Sequence, residues 1–200
     1  MADRSDVVNL PSLCREHRDL AYIQRWSIMR LHHRQSVAEH CFYVALYATD
    51  LARWTCGDVL SGDDHQFIAR IARFALWHDV EEAWTGDIPG PAKRLLSIKQ
   101  YSSDGYFQER FGFQKERPTE HEQCILDAAG AIDECMFLAG EMLTGNQSVA
   151  AVYQRSAEKL RKLLVRVFNL HDPQQTAVYD EILRAITMER VEPCGILTLD

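Results

Sequence analysis

The chain has 200 residues, 46% of them hydrophobic, with 22 basic against 29 acidic side chains, which describes one compact soluble domain, since ordinary domains run to roughly 100–200 residues. Its apolar runs, such as Phe42–Ala48 and Phe74–Trp77, fall far short of the roughly 20 residues that cross a bilayer. The first six residues lack the basic and apolar regions of a signal peptide, so a cytoplasmic protein without membrane contact is expected. A net charge of −7 argues against the basic face that a nucleic-acid polymer requires, so any phosphate-bearing ligand has to meet local cations.

In chain order, the first strong helix signal starts at Ser36. This residue is an N-cap with Glu39 at the capping-box position, followed by Val37, Cys41, Val44, Ala48 and Leu51 at spacings of three and four. His40 lies three after Val37 and four before Val44, on the buried stripe. A loop rich in Gly and Asp (Gly57-Asp58, Gly62-Asp63-Asp64) leads to a second helix. Its stripe runs Ile68, Ile71, Ala72, Ala75 and continues into His78, Asp79 and Glu82. Thr85-Gly86-Asp87-Ile88-Pro89-Gly90-Pro91 then reads as a rigid turn that stops any helix, with Lys93 and Arg94 directly after it. Residues 97–118 mix aromatics with charges and carry no clear period. A long helix opens at Thr119, with Glu122 at its capping-box position, and bears Ile125, Ala128, Ala129, Ile132, Met136, Ala139 and Leu143 on one face; Asp133 borders that face. Amphipathic segments near 149–168 and 176–188 read as packing or oligomer helices, and the tail after Val191 as irregular. With no strand pattern, repeat or linker, the expectation is an all-α single domain over 1–200, its motif-bearing core at about 25–141. The six cysteines (Cys14, Cys41, Cys56, Cys124, Cys135, Cys194) form no C-x-x-C pair and read as free thiols, mostly buried.

Three features converge on chemistry: His40 on one buried stripe, His78-Asp79 at the end of a second, and Asp133 beside a third. Each alone reads as an ordinary core histidine or helix aspartate. Together they form the mixed N/O ligand set that helical bundles build from inward-facing side chains, because burying several ionisable groups without a metal or mutual pairing costs several kcal/mol each. Such a set suits Mn²⁺, Co²⁺, Fe²⁺ or Zn²⁺, with Mg²⁺ also admissible. Arg25, Arg30, Arg34, Lys93 and Arg94 surround these motifs in sequence. Arg25 is the first choice for phosphate, since a guanidinium grips two oxygens at once, and Lys93 is the second. Trp26 either packs on the sugar or base or belongs to the core.

The order His40, His78-Asp79, Asp133 resembles the HD-domain metal-dependent phosphohydrolases. More closely, Arg25-Trp26-Ser27-Ile28-Met29-Arg30, Val37-Ala38-Glu39-His40, His78-Asp79-Val80-Glu81-Glu82 and Thr85-Gly86-Asp87-Ile88-Pro89-Gly90-Pro91-Ala92-Lys93 resemble the YfbR-type 5′-deoxynucleotidases, over roughly Arg25 to Glu141. The resemblance implies a compact helical HD fold that holds one divalent ion through His40, His78, Asp79 and Asp133, and a homodimer or higher homo-oligomer. It implies that Glu82 orients or deprotonates the attacking water, and that Asp87 faces the substrate, handling the proton of the leaving 5′ oxygen or binding the sugar. The plainer alternatives are a solvated helix-end carboxylate for Glu82 and a self-bonded turn residue for Asp87.

The implied activity is removal of the 5′-phosphate of deoxynucleoside monophosphates. A triphosphohydrolase of the phage dATPase type, releasing tripolyphosphate, stands as the alternative with the same ligands. A non-catalytic nucleotide-binding module is the rival from another class, and it is disfavoured because every ligand and both carboxylates are present. Guanosine tetraphosphate hydrolases share the acidic pair after His78-Asp79 but not the Arg-Trp block or the T-G-D-I-P turn. Asp104-Gly105-Tyr106-Phe107 imitates only part of the cyclic-dinucleotide phosphodiesterase signature.

Overall fold

The computed structural model describes residues 10–57, 59–95 and 116–187. These form helices α1 (Leu10–Asp19), α2 (Val37–Thr55), α3 (Gly62–Trp77), α4 (Glu82–Thr85), α5 (Gly90–Leu95), α6 (Glu120–Leu143), α7 (Ala150–Val167) and α8 (Pro173–Ile186), with a 3-10 turn at Gln147–Val149. No strand occurs among the described residues, where a single isolated bridge pairs Gln24 with Ser36, so the all-α expectation holds. The aromatic-rich stretch at 97–115 and the tail after Val191 lie outside the described residues.

Helix starts follow local capping chemistry. The Ser36 side chain accepts the Glu39 N–H while Glu39 Oε2 accepts the Ser36 N–H at 2.6 Å, and Thr119 with Glu122 repeats this reciprocal box. Gly62, Asp63 and Asp64, expected in a loop, instead form the first turn of α3. Ser61 caps that helix with Asp64 as its capping-box partner, and acidic residues in a first turn are favoured by the helix dipole. Pro91 likewise does not keep the chain in a turn. It sits in the first turn of α5, where its missing N–H costs nothing.

The core is built around α6, which packs against α7 and α2, while α2 also packs against α3. Ala128, Ala129 and Ala131 are fully buried and let neighbouring backbones approach, and Ile71, Ile125, Leu138, Leu160 and Leu164 fill the space between helices. Each of these large side chains contributes about 1.5–3 kcal/mol by burial. Two positions assigned to the inner face of α6 point out: Met136 and Leu143 are 45% and 59% exposed. The apolar stripe of α7 (Tyr153, Ala157, Leu160, Leu164, Val167) is consumed by the core. Cys41, Cys124 and Cys135 are buried free thiols, as expected, and Cys56 is a partly buried one. No helix among the described residues is long and apolar enough to cross a membrane.

A smaller cluster of Leu20, Val37, Cys41 and Val80 lies under the start of α2 and the segment after α3. Here the sequence expectation of one helix running through Glu82 fails. His78 Nδ1 lies 2.6 Å from the Ala75 carbonyl, the acceptor that the Asp79 N–H needs for the next helical bond, so the side chain competes with the backbone and α3 ends at Trp77. The chain continues through i→i+3 turns, with the Glu82 N–H on Asp79 O and the Ala83 N–H on Val80 O, and fully buried Val80 pins them.

Candidate metal centre and adjoining cavity

His40 sits one turn into α2, 4% exposed. Its Nδ1 lies 2.6 Å from Asp133 Oδ2 on α6. A carboxylate only accepts, so in the tautomer that bonds Asp133 the proton sits on Nδ1 and the lone pair on Nε2. The bond from His78 Nδ1 to the Ala75 carbonyl fixes the same tautomer for His78. The two Nε2 atoms then face each other at 3.3 Å, with Asp79 Oδ2 3.0 Å from His78 Nε2 and 3.7 Å from His40 Nε2. Three electron-pair donors thus close a triangle, and His40, His78 and Asp79 are the group among the described residues able to hold a metal ion. Such a cluster requires a cation. Without a metal a proton serves: burial opposes charge on His78, but the Asp79 carboxylate outweighs it and raises His78 well above its ordinary value. His40, by contrast, is lowered, chiefly by burial. Two imidazoles and a carboxylate fit a divalent transition ion better than a proton.

Asp133, the fourth expected ligand, stands behind His40 and not on the triangle. It is 3% exposed, and Gln35 Nε2 donates to its Oδ1 and Oδ2 at 3.1 and 2.9 Å. Arg25 Nη1 reaches Asp133 Oδ2 at 3.2 Å and Gln35 Oε1 at 3.0 Å, and also approaches His40 Nδ1 at 2.6 Å. Trp26 Nε1 donates to Gln35 Oε1 at 3.0 Å, and its indole stacks on Phe137 at 5.8 Å between centroids. Trp26 has φ 63°, a left-handed conformation costly for a bulky side chain and held here by these contacts.

Glu82 is 7% exposed. Its Oε2 is buried with no hydrogen-bond partner, an orphaned oxygen on a side chain whose charge is felt by the Asp79 carboxylate. Burial, then the Asp79 and Asp87 carboxylates, push Glu82 up to about 8, with Lys93 and Arg25 pulling the other way. Lys93 Nζ lies 3.6 Å from Glu82 Oε1, so this second-choice phosphate cation is placed on the acid. Gly86, at φ 68°, closes α4 in a conformation that a side chain resists and delivers Asp87 to the rim of a neighbouring cavity.

That cavity, of about 580 Å³, is lined by Arg25, Trp26, Asp87, Arg94, Arg155 and Lys159, with Met29 and Val152 contributing apolar wall. It does not include the His40–His78–Asp79 triangle; Arg25 is the residue common to both. Its volume suits a small-molecule ligand.

The sequence reading missed Gln35, the hub joining Arg25, Trp26 and Asp133. No periodicity marks it, and its only signal is a polar residue directly before a capping box. It also passed over Arg155 and Lys159, whose i, i+4 spacing beside an apolar stripe looks like a solvated face.

A helical core that brings together His40 of α2, His78-Asp79 of the turn after α3 and Asp133 of α6 is the arrangement of the HD-domain phosphohydrolase class of fold. A solved HD phosphohydrolase of cyanophage S-2L, bound to dA and one catalytic Zn²⁺ ion, superposes with a TM-score of 0.61 at 19% identity, covering 87% of this chain and 96% of that one. The profile of the family described as 5′-deoxynucleotidase YfbR-like matches residues 14–104. A 5′-deoxynucleotidase of Enterobacter sp. (strain 638) is 32% identical over 146 residues, 70% of this chain and 69% of that protein. The chain belongs to the YfbR-like 5′-deoxynucleotidase family. A dATP triphosphohydrolase of Salmonella phage PMBT28 is 35% identical over 99 residues, 46% of this chain. The match spans 51% of that relative's length.

Proposed function

We propose that this chain is a cytoplasmic, metal-dependent phosphohydrolase of deoxynucleotides that cleaves the bond between the α-phosphorus and the 5′ oxygen, removing the 5′-phosphate of deoxynucleoside monophosphates. The observation that carries this reading is the donor triangle of His40 Nε2, His78 Nε2 and Asp79 Oδ2, flanked by the orphaned Oε2 of Glu82 and the guanidinium of Arg25. His40, His78 and Asp79 hold the ion. Asp133 serves it through His40, whose ring its carboxylate orients. The ion, when bound, lowers the pKa of water and stabilises charge on phosphoryl oxygens.

The chain's own residues do the rest. Arg25, fixed by Gln35 and Asp133, grips the phosphoryl oxygens in two-point fashion. Glu82 Oε2 takes the proton of the attacking water as oxygen bonds to phosphorus, and a cation beside Asp79 favours the ionised carboxylate needed for this. The P–O5′ bond breaks, and Asp87 at the cavity rim manages the proton that the departing 5′ oxygen acquires. Trp26 and the apolar wall around it pack on the nucleoside. The homodimer implied by the family resemblance completes the reading.

A second reading, hydrolysis of deoxynucleoside triphosphates with release of tripolyphosphate, shares every step at phosphorus. It is favoured by one observation, the cations Arg94, Arg155 and Lys159 along the cavity beyond Arg25. The test is metal-reconstituted protein incubated with deoxynucleoside mono-, di- and triphosphates and their ribo counterparts, with products separated by ion exchange. Nucleoside plus phosphate from monophosphates supports the first reading and nucleoside plus tripolyphosphate the second. Glu82→Ala is expected to lose about 10²–10⁴ in turnover while still binding nucleotide. Wild-type protein inactive with Mn²⁺, Co²⁺, Fe²⁺, Zn²⁺ and Mg²⁺ alike would leave a binding module instead.

A further inference from the structure

Helix α7 carries Val152, Arg155, Ser156 and Lys159 at spacings of three and four, and all four line the cavity, because such positions share one helical face. Arg155 and Lys159 are exposed, and neither forms an ion pair with a described residue. Two like charges at i, i+4 repel each other, and the one acid of the helix, Glu158, forms an ion pair with neither. With Arg25 and Arg94 the cavity lining holds four cations against the two carboxylates of Asp87 and Glu134, a positive pocket on a chain of net charge −7.

One phosphoryl group at the metal triangle is served by Arg25 and the ion. Three further cations are in excess for a monophosphate. They match a ligand whose negative charge continues past the first phosphorus, and flexible lysine and forked arginine side chains are the residues that meet such oxygens. We infer that Arg155 and Lys159 of α7, with Arg94, form a subsite for the phosphates beyond the α-phosphate, so that this cavity admits the polyphosphorylated deoxynucleotides of the second reading as well as the monophosphates of the first. The assignment rests on the phosphohydrolase reading above and deepens it: the metal triangle sets where cleavage occurs, and α7 sets how long a phosphate chain is accepted.

The experiment reads anion binding without turnover. Full-length protein, stripped of metal with EDTA, is titrated calorimetrically with inorganic tripolyphosphate and with inorganic phosphate. Wild type is expected to bind tripolyphosphate. The double variant Arg155→Gln/Lys159→Gln is expected to weaken it at least tenfold, with a much smaller effect on phosphate. Lys162→Gln removes one charge from the same helix outside the cavity and is the control; it is expected to leave tripolyphosphate binding within twofold. Circular dichroism melts confirm that these surface variants fold. With metal restored, the ratio of kcat/KM for deoxynucleoside triphosphates over monophosphates is expected to fall at least tenfold in the double variant. Tripolyphosphate binding that is absent in wild type, or weakened no more by the double variant than by Lys162→Gln, overturns the subsite. Absence of hydrolysis of every deoxynucleotide sinks the enzymatic reading instead, while the binding contrast still upholds the subsite.

Discussion

Gln35 shows how one uncharged side chain holds several charged ones. It is 4% exposed, and its amide is fully used: Oε1 accepts from Arg25 and Trp26, and Nε2 donates to both oxygens of Asp133. Its orientation is dictated by these partners, since the carboxylate demands the NH₂ end and the guanidinium and indole demand the oxygen. Gln35→Met keeps the volume and removes every one of these bonds. The fold should survive, because the cavity is filled, whereas Arg25 and Asp133 lose their alignment with His40. The expected outcome is a drop of about 10–100-fold in kcat/KM and a weaker metal affinity, as when partners of metal-bound histidines are removed. Steady-state kinetics with parallel metal titration checks this, and wild-type values for both would show that Gln35 positions nothing.

At the scale of elements, the C-terminal end of α6 fastens the loop that precedes α2. Glu141, 1% exposed, accepts the backbone N–H groups of His32 and His33 at 2.7 Å each and the Asn146 side chain at 2.7 Å. Burial alone would raise its pKa; the bonds from Asn146, His32 and His33 outweigh it and hold the group at about 2, against an ordinary value of 4.5. A folded-state pKa below the unfolded one gives stability that is fully present above about 4.5 and is lost as pH falls toward about 2. Glu141→Gln should therefore be less stable than wild type at pH 7, by about 2–3 kcal/mol, with the gap closing as the medium is acidified through that window. Urea denaturation at a series of pH values measures it, and a gap that stays constant down to pH 2 would rule the anchor out. Helices of this kind were largely legible in the sequence: the capping boxes at Ser36 and Thr119 and the stripe Val37–Leu51 depend on neighbours three or four residues away. The end of α3 was not, because it turns on a side-chain choice, His78 Nδ1 taking the Ala75 carbonyl, that no periodicity encodes. Nor was the Glu141 anchor, whose partners lie 108 and 109 residues away.

Over the whole molecule, the motif order made the triangle of His40, His78 and Asp79 legible, whereas the cavity was hidden because its wall draws on residues 25–29, 87–94, 134 and 152–159, brought together only by the packing of α7 on α6. The same assembly decides what metal does to stability. His40 belongs to α2 and His78 and Asp79 to the segment closing α3, while Asp133 reaches in from α6 to bond His40, so an ion on the triangle adds a tie between α2 and the end of α3. A ligand that binds only the folded chain stabilises it by RT ln(1 + [L]/Kd), about 2.7 kcal/mol at a hundredfold excess over Kd. For a chain of this size each kcal/mol moves Tm by about 2–4 °C, so saturating Mn²⁺, Co²⁺ or Zn²⁺ should raise Tm by about 5–10 °C over EDTA-treated protein. His78→Ala removes a corner of the triangle and should abolish the shift. Asp133→Ala leaves all three corners and removes only the support of His40, so the shift should persist but require about 10–100-fold more metal. Thermal melts across a metal titration separate these cases: equal loss in both variants would place Asp133 directly on the ion, and an undiminished shift in His78→Ala would place the metal elsewhere.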